Sequence, residues 1–394
     1  MKRLLIAALA LFACISCQSK PEPFTKGALE YCSSQILKSI DQLTPADYMM
    51  SPRNIAPGDT IWNTRKVSEK EWTSGFWPGV LWYGYEASGD ETILAEAKAY
   101  TEALEFISRT PAHDHDLGFL MFCSYGNGYR LTGDEKYKEV IIATSDTLAT
   151  LFNPNVGTIL SWPRHVKEHG GHNTIMDNMI NLDMMFWAKE NGGGQDLWDL
   201  SVMHADTTMK YHFREDGSSY HVVIYDTDKG GMLKQMTHQG YADDSMWARG
   251  QSWGIYGYTL CYRFTKDAKY LDFAQKITDV YLDRLPEDMI PYWDFNDPTI
   301  PECSRDASAA AVVASALIEL SEYVGGEKGE KYLKAAEASL MELDKNYRSE
   351  SPALLDHSTG HRPNGYEIDY SIIYADYYYI EALLKLDKYY ANQK

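Results

Sequence analysis

Asp116, Asp177 and Asp306 each stand immediately before an apolar segment of this 394-residue chain. Capping is the simpler interpretation of any one of them, because a carboxylate accepts hydrogen bonds from the free N–H groups that begin a helix. Asp177 follows Ile175 and Met176, so burial is expected to raise its pKa, and a second carboxylate nearby would separate the two pKa values. A carboxyl that keeps its proton near neutral pH can act as a general acid. Asp116 and Asp177 are therefore the predicted catalytic pair.

Histidines and aspartates alternate over residues 113–116, a pattern that suggests metal ligands. Adjacent residues rarely converge on one ion without further ligands, so no metal is predicted. The cysteines after the N-terminal region also lack the CxxC spacing of a zinc site. They are interpreted as buried free thiols or as including one disulfide. These cysteines are Cys32, Cys123, Cys261 and Cys303.

Other side chains near the same segments suit carbohydrate binding. Trp72 and Trp253 stand beside glycines, where an indole is either plain core or a stacking surface for a sugar ring. Arg249 is either one partner of a buried salt bridge or the group that binds a substrate carboxylate through its planar fork.

The charge of the chain limits its partners. Lys and Arg number 37 against 56 Asp and Glu, which gives a formal net charge of −19. A broad basic surface for nucleic acid is therefore not expected. An anionic substrate would need a local cluster of donors, because the overall field repels it.

The first residues predict export. Lys2 and Arg3 precede the apolar run 4–12, which is too short to span a bilayer. A small residue precedes both Cys14 and Cys17, as in the cleavage box of bacterial lipoproteins. Cys17 is the preferred lipidated residue, because a polar segment containing proline follows it. The prediction is an exported lipoprotein of a Gram-negative bacterium, in the periplasm or at the cell surface; an ordinary secreted protein is the alternative.

These features divide the chain into a leader over 1–17, a tether over 18–25 and a single domain over 26–394. The body alternates two kinds of segment with a periodicity near 3.6 residues. Segments with charged faces fit an outer ring of helices, and segments apolar on most sides fit an inner ring. The predicted outer helices are Lys26–Leu43, Glu91–Ile107, Glu135–Phe152, Gln195–Tyr211, Tyr270–Leu285 and Gly329–Tyr347. The predicted inner helices are Trp77–Ala87, Leu117–Arg130, Asp177–Glu190, Trp253–Thr265, Ser308–Tyr323 and Tyr370–Leu386.

Several inner and outer segments share a joint in which glycine ends one helix and aspartate begins the next. Gly89-Asp90 and Gly133-Asp134 are the clearest examples. This internal repeat predicts an all-α (α/α)6 barrel, with an open solenoid as the alternative. Residues 218–225 alternate like a strand and Gly230-Gly231 offers a turn, so a short β-hairpin is expected at the rim.

Five blocks of the sequence resemble the unsaturated glucuronyl hydrolases of glycoside hydrolase family 88. The resemblance extends from about Trp72 to Leu386 and implies an (α/α)6 barrel that needs no metal or organic cofactor. The related unsaturated rhamnogalacturonyl hydrolases share this fold and similar chemistry, so they are the nearest alternative. The blocks are WTSGFWPG at 72–79, HDLGF at 115–119, MDNMINL at 176–182, ARGQSW at 248–253 and YADYYYIEALL at 374–384.

The resemblance implies a substrate and a reaction. Family members act on oligosaccharides left by polysaccharide lyases, which carry a 4,5-unsaturated uronic acid at the non-reducing end. They hydrate the C4–C5 vinyl ether, and the resulting hemiketal opens and releases the next sugar. The expected substrates are fragments of chondroitin, hyaluronan or heparin, with an upstream lyase as the pathway partner. A helical-barrel lyase, a sugar epimerase and a non-catalytic glycan-binding lipoprotein are the competing interpretations.

The resemblance also assigns roles by position. Asp177 matches the general acid/base that protonates C4 and then takes a proton from the water attacking C5. Asp116 matches a second essential aspartate that orients the ring or stabilises charge. Ser358 and Arg362 are expected sulfate or leaving-sugar contacts, although this loop lacks the lysine found in members that bind sulfate. The other matched residues are Trp72 as an aromatic wall, His221 and Gln239 around the sugar and water, and Arg249 and Trp253 at the carboxylate and ring.

Overall fold

The structure is a computed structural model that describes residues 23–393. The predicted leader, its lipidation site at Cys17 and most of the predicted tether lie outside the described residues. The first helix begins at Phe24 and buries Thr25, so the last two residues of the predicted tether belong to the folded domain.

The described helices form six hairpins arranged in a closed ring, which confirms the predicted (α/α)6 barrel and excludes the open solenoid. Each inner helix packs against the next, and the last inner helix packs against the first. The outer helices are α1 (Phe24–Gln42), α3 (Glu91–Glu102), α5 (Glu135–Ala149), α8 (Gln195–Tyr211), α10 (Ala268–Asp283) and α12 (Gly326–Asn346). The inner helices are α2 (Phe76–Ser88), α4 (Asn127–Thr132) with a preceding π-helical segment (Gly118–Gly126), α7 (Asn181–Glu190), α9 (Ala248–Thr265), α11 (Ala307–Val324) and α13 (Ile373–Asn392). The short helix α6 (Val166–His169) lies in a connection.

Burial explains the two kinds of helix. The outer helix α10 buries one stripe, including Tyr270, Ala274, Ile277 and Tyr281, at spacings of three or four residues. The inner helix α11 is long and apolar enough to cross a membrane by composition, but 78% of it is buried inside the barrel. Its composition therefore reflects the barrel interior.

The predicted joints are confirmed. The side chains of Asp90, Asp134 and Asp267 accept hydrogen bonds from the first N–H groups of their outer helices. Gly89 and Gly133 end inner helices in the left-handed region, with φ of 68° and 67°, which favours glycine. The four cysteines of the described chain are buried free thiols.

Antiparallel strands surround the rim where the inner helices begin. The predicted hairpin is confirmed as two strands, and a third pairs with it to give the order β5-β6-β7. A four-stranded sheet of order β2-β1-β9-β8 was not predicted, and β3 pairs with β4. The strands are β1 (Met50–Ile55), β2 (Asn63–Lys66), β3 (Phe152–Asn153), β4 (Thr158–Ile159), β5 (His172–Ile175), β6 (Val222–Tyr225), β7 (Met232–Met236), β8 (Ser358–His361) and β9 (Tyr366–Ile372).

Several predicted helix boundaries differ from the observed ones, and two of the differences arise where a strand precedes the helix. The last inner helix begins at Ile373 rather than Tyr370, because residues 370–372 end β9, whose Ile372 pairs with Asn54 of β1. The third inner helix begins with a tight 3-10 turn, Met176–Ile180, rather than as a regular helix at Asp177. In both places a strand pairs with a distant segment before the helix starts, a long-range contact that local periodicity does not contain.

Candidate active site

A cavity of about 270 Å³ opens at the rim formed by the starts of the inner helices. The structure brings five of the predicted site residues together in its wall. It also places Trp162 there, an aromatic residue that the sequence reasoning did not select. The predicted residues in the wall are Trp72, Asp116, Asp177, Gln239 and Arg249.

Asp177 lies in the 3-10 turn between β5 and α7 and is 8% exposed. Its Oδ2 lies 3.5 Å from Nε2 of His221. Burial acts to raise the pKa of Asp177, but contact with His221 and the positive field of Arg249 outweigh it and lower this pKa. The prediction that burial raises the pKa of Asp177 was therefore wrong for the ligand-free protein.

His221 lies just before β6, behind the cavity wall, and is 3% exposed. Its Nδ1 accepts hydrogen bonds from the backbone N–H groups of His238, at 3.2 Å, and Gln239, at 3.1 Å. Since Nδ1 is an acceptor, the ring proton of a neutral His221 lies on Nε2, which faces Asp177. His221 therefore presents an N–H group to an ionised Asp177.

Asp116 immediately precedes the π-helical segment and lies beside a second histidine. His115 is 1% exposed, and its Nδ1 donates to the carbonyl oxygen of Ser161 at 3.2 Å. The Nε2 atom of His115 therefore carries a lone pair, and it lies 3.4 Å from Oδ1 of Asp116. Burial, and then the charge of Asp114, raise the pKa of Asp116 well above its usual value. Asp116 is therefore the carboxyl of the pair whose surroundings favour the protonated form.

Asp114 and Arg164 extend this side of the cavity to the surface. Asp114 accepts a hydrogen bond from Arg164 Nη1 at 3.1 Å and another from the backbone N–H of Asp116 at 3.3 Å. The side chain of Arg164 is 44% exposed. Arg164 thus places a positive charge at the cavity mouth while it orients Asp114 beside Asp116.

The three aspartates first interpreted as helix caps differ in the structure. Only Asp306 caps its helix, through the backbone N–H of Ser308. Asp306 also accepts a bond of 2.6 Å from Arg249, whose guanidinium donates further to the carbonyl oxygens of Thr359 and Gly360. The salt-bridge interpretation of Arg249 is therefore confirmed, and the arginine still borders the cavity with its charge.

Three predicted site residues lie away from the cavity. Trp253 has no exposed surface and packs against Phe119 and Tyr378 in the barrel core, because α9 begins five residues before it and turns it inward. Ser358 is fully buried in β8. Arg362 lies over Trp293 and borders a separate depression. These positions correct the predicted contacts of Trp253, Ser358 and Arg362 with a ligand in this cavity.

Trp162 and the histidines of the mouth were missed. Trp162 stands in the run Trp162-Pro163-Arg164-His165, an aromatic residue followed by basic ones in a connection, and this composition was the available signal. His238 and His361 line the cavity from the segment after β7 and the end of β8. Only the folding of distant segments onto the rim brings these two residues together.

Several polar atoms at the cavity are buried without a hydrogen-bond partner among residues 23–393. They include Asp177 Oδ2, His115 Nε2 and His221 Nε2. Unpaired buried polar atoms are costly, and they are expected where a ligand completes the bonding. The site therefore offers a ligand two carboxyl groups and two histidine nitrogens, beside a flanking indole.

The residues nearest to a metal-binding arrangement in the described chain are Asp114, His115 and Asp116, whose ligand atoms lie within 4.8 Å of one another. Arg164 already neutralises Asp114, and the proton on Asp116 opposes coordination, because a metal requires deprotonated ligands. The donor set is thus a poor fit for a resident cation.

An (α/α)6 barrel whose rim cavity holds a carboxyl pair beside indole rings defines a carbohydrate-active hydrolase of the helical-barrel type. The chain belongs to glycoside hydrolase family 88. A sequence model described as Glycosyl Hydrolase Family 88 matches residues 46–391. The predicted family and the predicted enzyme class, a glycoside hydrolase, are confirmed.

Individual relatives agree with this assignment. The unsaturated glucuronyl hydrolase of Formosa agariphila is 43% identical over 340 residues, which cover 84% of this chain and 83% of that protein. The unsaturated chondroitin disaccharide hydrolase of Streptococcus pyogenes serotype M1 is 34% identical over 333 residues, covering 82% of each chain. A crystal structure of an unsaturated glucuronyl hydrolase specific for heparin matches with a TM-score of 0.86 and 41% identity, covering 93% of this chain and 98% of that one.

Proposed function

We propose that this enzyme removes the 4,5-unsaturated uronic acid from the non-reducing end of lyase-generated glycosaminoglycan oligosaccharides. The observation that carries the proposal is that Asp116 and Asp177 line one cavity, where their surroundings raise the pKa of the first and lower that of the second. A volume near 270 Å³ is at the small end of ligand pockets, which suits a terminal ring rather than an internal segment of a polymer. The activities named for the relatives support the same substrate class.

In the proposed reaction Asp177 donates a proton to C4 of the enol ether, and positive charge develops at C5 and the ring oxygen. Water then attacks C5 while the Asp177 carboxylate accepts its proton, which restores the acid. The hemiketal opens by breaking the bond from C5 to the ring oxygen, giving a ketone at C5 and a hemiacetal at C1. Collapse of that hemiacetal releases the leaving sugar as an alcohol, so one water is consumed overall.

The resting protonation state requires one adjustment on binding. Asp177 is ionised in the ligand-free site, yet it must carry a proton to begin the reaction. The substrate brings its own carboxylate into the cavity and displaces water, and both effects favour the neutral form of Asp177. We expect Asp177 to take up a proton as the uronate binds, while Asp116 remains a hydrogen-bond donor to the ring.

Recognition of the leaving sugar is proposed to involve the cations at the mouth. Arg164 and Lys70 line the cavity and are exposed. They can contact a sulfate or carboxylate on the second sugar, whereas Ser358 is buried and Arg362 lies elsewhere. A preference for sulfated disaccharides should therefore depend on Arg164 more than on Arg362.

A panel of unsaturated disaccharides of defined linkage and sulfation tests the function. Turnover should remove the ultraviolet absorbance of the enol ether and, in deuterium oxide, place a deuteron at C4. Appearance of absorbance from intact polymer would identify a lyase, and binding without loss of absorbance would identify a glycan-binding protein. Turnover confined to unsaturated rhamnogalacturonan fragments would support the pectin alternative instead.

Export and lipidation remain proposals. The sequence pattern around Cys17 favours a lipid-anchored protein in the periplasm or at the cell surface. Metabolic labelling with a fatty acid in a Gram-negative host should label the full chain and not a Cys17→Ser variant. Equal labelling of both proteins would show that the lipid is attached to another residue, such as Cys14.

A further inference from the structure

Two histidines from distant segments meet at the mouth of the cavity. The Nε2 atoms of His238 and His361 lie 3.2 Å apart, and the two rings stand nearly perpendicular with centroids 4.7 Å apart. Only one proton can occupy the space between these nitrogens, so at least one of them directs a lone pair toward the other. Asn364 places its side-chain amide 3.2 Å from the same Nε2 of His361.

This spacing fits an N–H···N hydrogen bond, and it also fits two ligands on one metal ion. Zinc–nitrogen bonds of about 2.0 to 2.1 Å at a tetrahedral angle place two nitrogens about 3.3 Å apart. Rotation of the Asn364 amide by a half turn exchanges its nitrogen for its oxygen, which would supply a third donor. The mouth is open to solvent, so water or a substrate oxygen can complete the coordination.

The His361 ring has a second nitrogen that makes no hydrogen bond. Its Nδ1 is buried without a partner among the described residues, so the protein alone does not satisfy this ring.

We infer that His238, His361 and Asn364 form a binding site for a divalent transition-metal ion, of which zinc is the best match, and that the bound ion inhibits the enzyme. The two histidines line the same cavity as Asp116 and Asp177. An ion held between them would narrow the mouth of this cavity. Zinc is therefore expected to raise KM for the disaccharide and to leave kcat unchanged.

Binding is tested without turnover by titrating the full chain with zinc chloride in a calorimeter. The wild type should bind one ion, and His238→Ala and His361→Ala should each weaken its affinity at least tenfold, while Asn364→Asp should strengthen it. His357→Ala is the matched control, since His357 is exposed and pairs with Asp369. Thermal melting checks that every variant is folded, and zinc-edge anomalous scattering from soaked crystals locates the ion independently.

The outcomes separate the alternatives. No zinc binding by the wild type overturns the proposal, as does binding that survives in His361→Ala but is lost in Asp114→Asn, which would place the ion on the acidic cluster. The claim that zinc inhibits the enzyme rests on the proposed function. Inhibition is measured within each variant as the ratio of its activities with and without zinc. A chain that binds zinc at the two histidines but turns over no unsaturated disaccharide would retain the metal site and reject the proposed function.

Discussion

The two sides of the cavity each contain an aspartate beside a buried histidine, yet the pKa values of the two aspartates shift in opposite directions. On one side His221 faces Asp177 at 3.5 Å, and on the other His115 faces Asp116 at 3.4 Å. The pKa of Asp177 is lowered and that of Asp116 is raised, although burial acts to raise both. The aspartates themselves therefore do not decide which one holds the proton.

Different neighbours cause the difference. Burial and the charge of Asp114 raise the pKa of Asp116, whereas His221, His115 and Arg249 lower that of Asp177. Two N–H groups bind Nδ1 of His221, which leaves its proton on Nε2 toward Asp177. A carbonyl oxygen accepts from Nδ1 of His115, which leaves a lone pair on Nε2 toward Asp116. His221 therefore offers its aspartate an N–H group, and His115 does not. Asp114 adds negative charge on the Asp116 side and increases the contrast.

The largest expected effect comes from removing the proposed proton donor. Asp177→Asn should lower kcat by about 10³-fold or more, because a positioned acid/base contributes about 10² to 10⁴-fold. Asp116→Asn should cost less, about 10²-fold, since an amide can still donate a hydrogen bond to the ring. Absorbance loss on one disaccharide measures both. Near-normal activity of Asp177→Asn would reject its assigned role, and circular dichroism shows whether each variant is folded.

The next effect concerns the two histidines. His221→Ala removes the N–H group that faces Asp177, so the pKa of Asp177 should rise. We expect kcat/KM to fall about 10 to 100-fold, because the carboxyl also loses the contact that orients it. His115→Ala should change the pKa of Asp177 less, because His115 is a weaker contributor to it. The pKa is measured directly from the carbon-13 chemical shift of the Asp177 carboxyl, followed across pH in the ligand-free protein. If this pKa moves equally in the two variants, the proposed difference between the histidines is wrong.

The alkaline limb of activity should report the proton on Asp116. As pH rises through the raised pKa of Asp116, this carboxyl loses its proton and kcat/KM should fall. Asp114 raises this pKa and Arg164 lowers it, so Asp114→Asn should move the limb to lower pH and Arg164→Gln should move it to higher pH. Shifts in the same direction in both variants would show that another group controls the limb.

The smallest effect is on stability. The folded protein holds a proton on Asp116 that the unfolded chain has lost, so stability falls as pH rises from the unfolded pKa to the raised folded value. Asp116→Asn removes this penalty and should raise Tm by about 2 °C at neutral pH but not at acidic pH. The pKa of Asp177 is lowered in the folded protein, so its carboxylate stabilises the fold at pH values above the pKa that it has in the unfolded chain. Asp177→Asn should therefore not raise Tm at neutral pH. Calorimetric scans across pH distinguish the two variants.

Much of the fold was predictable because it repeats local signals. The glycine and aspartate joints at Gly89-Asp90 and Gly133-Asp134 end and begin helices through their own backbone geometry and capping bonds. The hairpin of β6 and β7 was also predicted. The four-stranded sheet was not, since residues 54–55 pair with residues 371–372 across most of the chain. Pairing over such a distance leaves no mark on local periodicity.

The sequence by itself determined the barrel, the family and the placement of Asp116 and Asp177 at helix starts on one rim, because spacing and motif content are local properties of the chain. Only the tertiary structure decided which aspartate holds the proton, that Trp253 is core and that Trp162 is cavity wall. The preference for a proton depends on the charges and hydrogen-bonding groups that distant segments bring to each aspartate and its histidine. The burial of each tryptophan depends on which way its backbone segment turns in the folded barrel. Electrostatics and burial act through space, so they become readable only when the chain has folded.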